Sequence, residues 1–158
     1  MSDAAGRRPV HEAPDADLVE YLVIVVPDLG SLDRLVPALG ELVEASAIRI
    51  IDLVCVTRSA HGGGLTVLEL EDVESLSGLR DVEGQVGGLL SAHDIATASL
   101  AVGPGSSAVV LLIEGRWAAR LSAAARLAGG RIVGGERIAR RRVEAALAPD
   151  TSSRGTDR

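Results

Sequence analysis

Five carboxylates, Asp52, Glu69, Glu71, Asp72 and Glu114, fall in or beside segments that read as neighbouring strands. Carboxylates gathered on a sheet can exchange a proton with a substrate or hold a hard cation. Asp52 is the one whose position asks for an explanation. In simple strand register it shares a side with Ile50, Val54 and Val56, where an unpaired charge is costly. The structural reading pairs it with an arginine such as Arg49 or Arg131 at a sheet edge. A second candidate is Gly103-Pro104-Gly105-Ser106-Ser107-Ala108, which spells the G-x-G-x-x-A of the dinucleotide fingerprint. That fingerprint works only between a strand and a helix N-terminus, which receives the pyrophosphate. Here a helix precedes and a strand follows, so the run reads as a helix cap and a tight turn. What survives is an anion nest, in which the N–H groups and hydroxyls of Gly105, Ser106 and Ser107 hold a small anion, with Asp52 the other speculative ligand-binding residue.

The remaining reactive side chains are scattered. His11, His61 and His93 lie in a tail, a turn and a helix start, and none has a companion at metal-ligand spacing. Cys55 sits in an apolar run and reads as a buried, inert thiol. The sequence contains no G-x-S-x-G, C-x-x-C or G-x-x-x-x-G-K-[ST], so nucleophile elbow, redox pair and P-loop are missing. No catalytic residue, metal or cofactor is assigned. Arg137, Arg140, Arg141 and Arg142 form a basic cluster flanked by Glu136 and Glu144, without interleaved aromatics for base stacking. It reads as a solvated helix face rather than a nucleic-acid surface. Trp117 and Tyr21, the sole Trp and Tyr of a chain without Phe, each begin an element and are the preferred interface anchors.

The elements that position these residues are packed from Leu, Val, Ile and Ala. At 158 residues the chain fits one domain and needs neither disulfide nor metal to hold a core. A net charge of -6 disfavours non-specific attraction to nucleic acid or anionic lipid. All sixteen basic residues are arginine. The polar, Pro-containing start has no apolar signal-peptide core, and the expected compartment is the cytoplasm. Residues 1–17 and 149–158 read as disordered tails around a single domain over 18–148.

Within that domain, Leu22-Val23-Ile24-Val25-Val26 reads as a strand apolar on both faces. Ser31 offers a cap to a helix carrying Leu32, Leu35, Val36, Leu39, Leu42 and Val43, with Pro37 implying a kink or a start one turn later. Strands over 48–58 and 65–71 are joined through the glycines after His61, and the second alternates as if one face were wet. Only short helical turns fit 73–91. Ser91 with Asp94 resembles a capping box opening a helix to about Val102. The uncharged stretch 95–113 is long enough to cross a bilayer, but Gly103-Pro104-Gly105 breaks it into helix, turn and strand 108–113. A helix with Trp117, Leu121, Ala124 and Ala128 follows, then a short fifth strand at 131–133 and a closing helix at 139–148. Two β-α-β units fused around a hairpin predict an α+β, ferredoxin-like mixed sheet of about five strands with helices on at least one face. The strands at 22–26 and 108–113 are expected at its centre. The second sheet face needs a cover, supplied either by residues 73–102 or by another copy of the chain.

Arg49-Ile50-Ile51-Asp52-Leu53-Val54, Leu68-Glu69-Leu70-Glu71-Asp72, Gly88-Leu89-Leu90 with Asp94-Ile95, Pro104-Gly105-Ser106-Ser107-Ala108, and Ala128-Gly129-Gly130-Arg131 with Glu136-Arg137-Ile138 stand in a familiar order. Together they resemble a family of small bacterial proteins built on a domain of unknown function, over roughly residues 20–148. That family is similar in turn to a larger one of putative membrane proteins with a glycine-zipper segment after the third strand. This chain lacks such a spanning insert, and Gly84, Gly87 and Gly88 stand where its vestige would be. The resemblance implies a fold and no activity.

The functional expectation is a non-enzymatic, cytoplasmic protein that self-associates as a homo-oligomer and serves as an interaction or accessory module, with stress physiology one setting for it. The alternative is a small-molecule or anion-binding regulatory module using the turn at 103–107.

Overall fold

The computed structural model describes residues 12–61, 64–79, 88–135 and 137–148. Four strands, β1 (Val19–Val26), β2 (Arg49–Arg58), β3 (Leu65–Glu69) and β4 (Ser107–Glu114), form one sheet in the order β1-β4-β2-β3. Every neighbouring pair is antiparallel, so β1 and β2 run parallel with β4 between them. Helices α1 (Val36–Glu44), α2 (Ala92–Ala98), α3 (Ala119–Leu127) and α4 (Arg140–Leu147) complete the α+β architecture. Pro37 lies in the first turn of α1, where its missing N–H costs nothing. The preceding residues, Leu29–Arg34, are a 3-10 turn capped by Asp28.

Two expectations about the sheet need correction. Among the described residues there are four strands, and 131–133 is not one of them. Three residues between two glycine pairs offer too few ladder bonds to hold a free edge. The two most apolar segments do lie side by side, with Leu22 opposite Leu111 and Val23 opposite Val110. The central strands, however, are β4 and β2, and β1 is an edge. In β2 seven successive residues from Ile50 to Val56 are buried, Asp52 among them, and that one charge disguises a central strand.

Both sheet faces are covered by the chain itself. On one face Leu53, Cys55, Val109, Leu111 and Ile113 pack with Leu22 and Ile24 under Leu32, Leu39, Leu70, Val73, Leu76 and Leu79. On the other, Val54, Val56, Ala108 and Val110 lie under Leu90, Ile95, Ala98 and Val102. Residues 70–79 and 88–102 thus go to opposite faces. The uncharged stretch 95–113 is helix, turn and strand, and no helix among the described residues is long and apolar enough to cross a membrane.

The domain also begins earlier than 18. Asp15 caps the 3-10 turn Ala16–Leu18, and Ser122 Oγ donates to its carboxylate at 2.9 Å, so residues 12–17 belong to the folded body. Residues 1–11 and 149–158, and Gly84 and Gly87, lie outside the described residues.

Candidate functional site

Asp52 lies at an irregularity. Ile50 pairs with Ile113 and Asp52 with Leu112, leaving Ile51 as the extra residue of a bulge. The bulge turns Ile50 to the first face and Asp52 to the second, beside Val54 and Val56, where its side chain is 1% exposed. Its partner is not an arginine. The carboxylate accepts the backbone N–H groups of Leu53 at 2.8 Å, Leu89 at 2.7 Å and Leu90 at 2.6 Å. Asp52 therefore fixes the segment that enters α2, just after Gly88 at φ +80°. The next residues continue the brace. Ser91 and Asp94 close a reciprocal capping box, and Asp94, held by Ser91 and facing Tyr21, has its carboxyl lowered to about 2. The same contact raises the Tyr21 phenol.

The turn at 103–107 is likewise committed inward. Gly105 N–H donates to the Arg58 carbonyl at 2.9 Å and Ser106 N–H to the Gly103 carbonyl at 3.1 Å. Ser107 is buried in β4, its hydroxyl 3.0 Å from Thr57 Oγ1. The Gly105 and Ser106 N–H groups are thus used within the turn. Gly105 sits at φ +73°, the conformation the turn requires of it. Arg58 completes the corner, donating to the carbonyls of Val102 at 2.7 Å and Ser99 at 3.0 Å, the free carbonyl end of the α2 segment.

The strand carboxylates do not come together. Glu69 is exposed on β3, and Glu71 and Asp72 are exposed in the turn Leu70–Asp72. Glu114, at the far end of β4, is buried in a different cluster. It accepts the Asp15 N–H at 2.7 Å and Arg116 Nε at 3.2 Å, with Arg49 Nη1 at 3.9 Å. Arg126 bridges Asp15 and Asp17, which lowers the Asp15 carboxyl to about 2 and raises the guanidinium. Arg49, Arg116 and Arg126 with Glu114 and Asp15 line a cavity of about 580 Å³. Glu114 and Asp15 are held by protein donors there, and the cluster reads as the clasp holding residues 12–18 on the sheet. Among the described residues no group of three His, Cys, Asp or Glu is placed to hold a metal.

What the fold leaves outward lies along β1. The second-face lane of β1 includes Tyr21, Val23 and Val25; Tyr21 faces Asp94 of α2 and is still 52% exposed. A groove of about 630 Å³ runs along residues 21–25, with Arg137 on its other wall. Around the start of β1 a second groove, of about 400 Å³, is lined by Leu18, Val19, Trp117, Ala118, Leu121 and Ile132, with Asp17 and Glu20 on it. Trp117 is 73% exposed, yet it is firmly placed: its N–H donates to the Ala47 carbonyl at 3.1 Å. A Cβ on Gly115 would come within 3.0 Å of the indole Nε1. The indole lies against bare backbone, and Trp117 and Tyr21 flank one side of the molecule.

Sequence reasoning missed Asp15, Ser122 and Arg126, whose sole signal was an Asp two residues ahead of the Asp-Leu pair that opens β1. No known protein family, curated protein or solved structure matches the chain.

Proposed function

We propose that this is a non-enzymatic protein of the cytoplasm that self-associates and acts as an interaction or accessory module. The observation that carries the reading is the β1 side of the sheet. β1 is an eight-residue edge strand, Val-Glu-Tyr-Leu-Val-Ile-Val-Val, with neither Pro, Lys nor Arg to blunt it, and natural edges of that kind are covered or paired. Tyr21 and Val25 on it and Trp117 and Leu121 beside it are large exposed apolar side chains, the composition of an interface core. The enclosed candidates support the same reading. The Asp52 carboxylate, the Ser106 backbone and the Ser107 hydroxyl are hydrogen-bonded within the domain. The kinship with the small bacterial family and the ferredoxin-like description belong to this proposal. The latter rests on the strand-helix-strand-strand-helix-strand order and the split crossovers, with β1 at the edge as its departure.

Size-exclusion chromatography with light scattering tests the proposal. The full chain at micromolar concentration is expected to run as a dimer or larger. Val25→Lys, at an exposed position on the edge strand, is expected to weaken assembly at least tenfold without changing the far-UV spectrum. A strictly monomeric wild type overturns the reading.

A further inference from the structure

Helix α4 is amphipathic and has nothing to lie on. Ala139, Val143, Ala146 and Leu147 recur at the three- and four-residue spacing of one helical stripe. Arg140 and Arg142 flank that stripe, one on each side. Yet the helix buries none of its residues, and Val143 and Leu147 are exposed. A stripe of this kind gains nothing in water; it is a surface built for a groove.

The groove beside Trp117 has the complementary chemistry. Its walls are Leu18, Val19, Trp117, Ala118, Leu121 and Ile132, and its charged members are Asp17 and Glu20. The complementarity extends to the whole chain. Residues 12–130 hold seventeen carboxylates against seven arginines, whereas 131–148 hold five arginines against two glutamates. Arg140 is engaged by Glu144 at 2.6 Å, but Arg137, Arg141 and Arg142 have no ion pair among the described residues. A basic, apolar-striped helix that buries none of its residues is thus tethered to an acidic body.

The helix of the same chain is poorly placed to fill that groove. Ile132, Gly134 and Gly135 form one of its walls, and Arg137 has already passed to the separate groove along Tyr21–Val25. α4 begins three residues further on. We propose that α4 seats in the Trp117 groove of a second copy, with Val143 and Leu147 against the indole and Leu121 and with Arg142 toward Glu20. The exchange is reciprocal, each protomer giving a helix and receiving one, as a two-fold assembly requires. This placement rests on the self-association proposed above and names its contact.

Trp117 is the sole tryptophan, so its fluorescence reads the groove directly. In the full chain, emission is expected to shift to the blue and acrylamide quenching to fall at least twofold as concentration rises through the assembly range. Leu147→Asp, at a residue 78% exposed, is expected to keep the far-UV spectrum, hold Trp117 solvent-exposed at all concentrations and weaken assembly at least tenfold. Glu20→Arg and Arg142→Glu are each expected to weaken assembly alone. Mixed one to one they should recover it, because every groove in the mixed dimer then faces a helix of opposite charge. Three results overturn the inference. An assembly that survives Leu147→Asp with Trp117 still exposed leaves self-association standing and removes α4 from it. A monomer whose Trp117 is shielded at every concentration makes the helix of the same chain the occupant. A monomer with exposed Trp117 up to high micromolar concentration removes both readings.

Discussion

Replacing Asp52 by alanine separates a structural carboxylate from a chemical one. The wild-type side chain accepts three backbone N–H groups and is almost wholly enclosed. Alanine leaves all three donors without an acceptor. The Leu53 and Leu90 amides belong to buried residues and cannot readily turn to water, whereas Leu89 is an exposed residue and its amide can be rehydrated. An orphaned buried donor costs about 1–3 kcal/mol, and hydrogen bonds to a charged acceptor lie toward the upper part of that range. Two such donors, partly offset by relief of burying the carboxylate, give a loss of roughly 2–5 kcal/mol. At about 2–4 °C per kcal/mol for a chain of this size, the melting temperature should fall by roughly 5–15 °C.

The loss should also be local before it is global. Leu89 and Leu90 lead directly into the Ser91 capping box and α2, and this segment is the lid of the second face. Native-state hydrogen exchange is therefore expected to show residues 90–102 opening in Asp52→Ala while the β2 and β4 amides keep most of their protection. Asp52→Asn keeps one acceptor oxygen but turns an amide toward the donors, so it should fall between wild type and alanine. A denaturation midpoint corresponding to less than about 1 kcal/mol of destabilisation, or an unchanged Leu90 exchange rate, would refute the brace.

Two further expectations concern single groups. Asp15, with an ordinary value of 3.8, is held at about 2 by Arg126 and Ser122. Its depressed carboxyl stabilises the folded state above about pH 4, and that contribution is lost as pH falls toward 2. Asp15→Asn should flatten the melting-temperature profile between those values, and an unchanged acid limb counts against the clasp. Cys55 is fully enclosed and its thiol is pushed up to about 12 by burial. It should resist a thiol reagent at pH 8 in the native state and react at the unfolding rate in denaturant, whereas rapid native labelling would contradict the burial.

The elements were legible where their signal was local. Pro37, the Ser91–Asp94 box, the break at Gly103-Pro104-Gly105 and the run from Ala108 to Ile113 depend on neighbours within a few residues, and each forms as read. Most of the errors are long-range. β1 reads as central because it is apolar throughout, but position in a sheet follows from what sits on either side, and β2 takes the centre despite its aspartate. The bulge at Ile51 reassigns Ile50 to the other face, which no alternation pattern within β2 announces. The Asp52 partners are main-chain amides thirty-seven and thirty-eight residues away, and any sequence supplies amides, so no residue type marked them. Asp15 was read into a tail because its partners, Ser122 and Arg126, lie more than a hundred residues downstream.

The polar groups of this chain divide by where their partners are. Asp52, Arg58, Asp15, Glu114 and Ser107 find theirs inside the domain, and each joins segments distant in sequence: β2 to the entry of α2, the end of β2 to the end of the α2 segment, the N-terminal turn to α3 and β4. These are the positions at which a reading by residue type places chemistry, because a polar group among apolar ones is conspicuous. In a core built almost entirely from Leu, Val, Ile and Ala, the same groups do a different task. Aliphatic side chains of similar size interchange at modest cost, so directional bonds at a few places fix which cover lies on which face. Bonds of this kind give each of these groups a structural task. Among the described residues Arg137, Arg141 and Arg142, on or beside α4, have no ion pair, Glu20 lies on the rim of the Trp117 groove, and β1 has a free edge. Unpaired charge and exposed apolar side chains such as Trp117 and Val25 are what a protein contact uses, and that is the physical reason the proposed reading moves from the sheet interior to its edge.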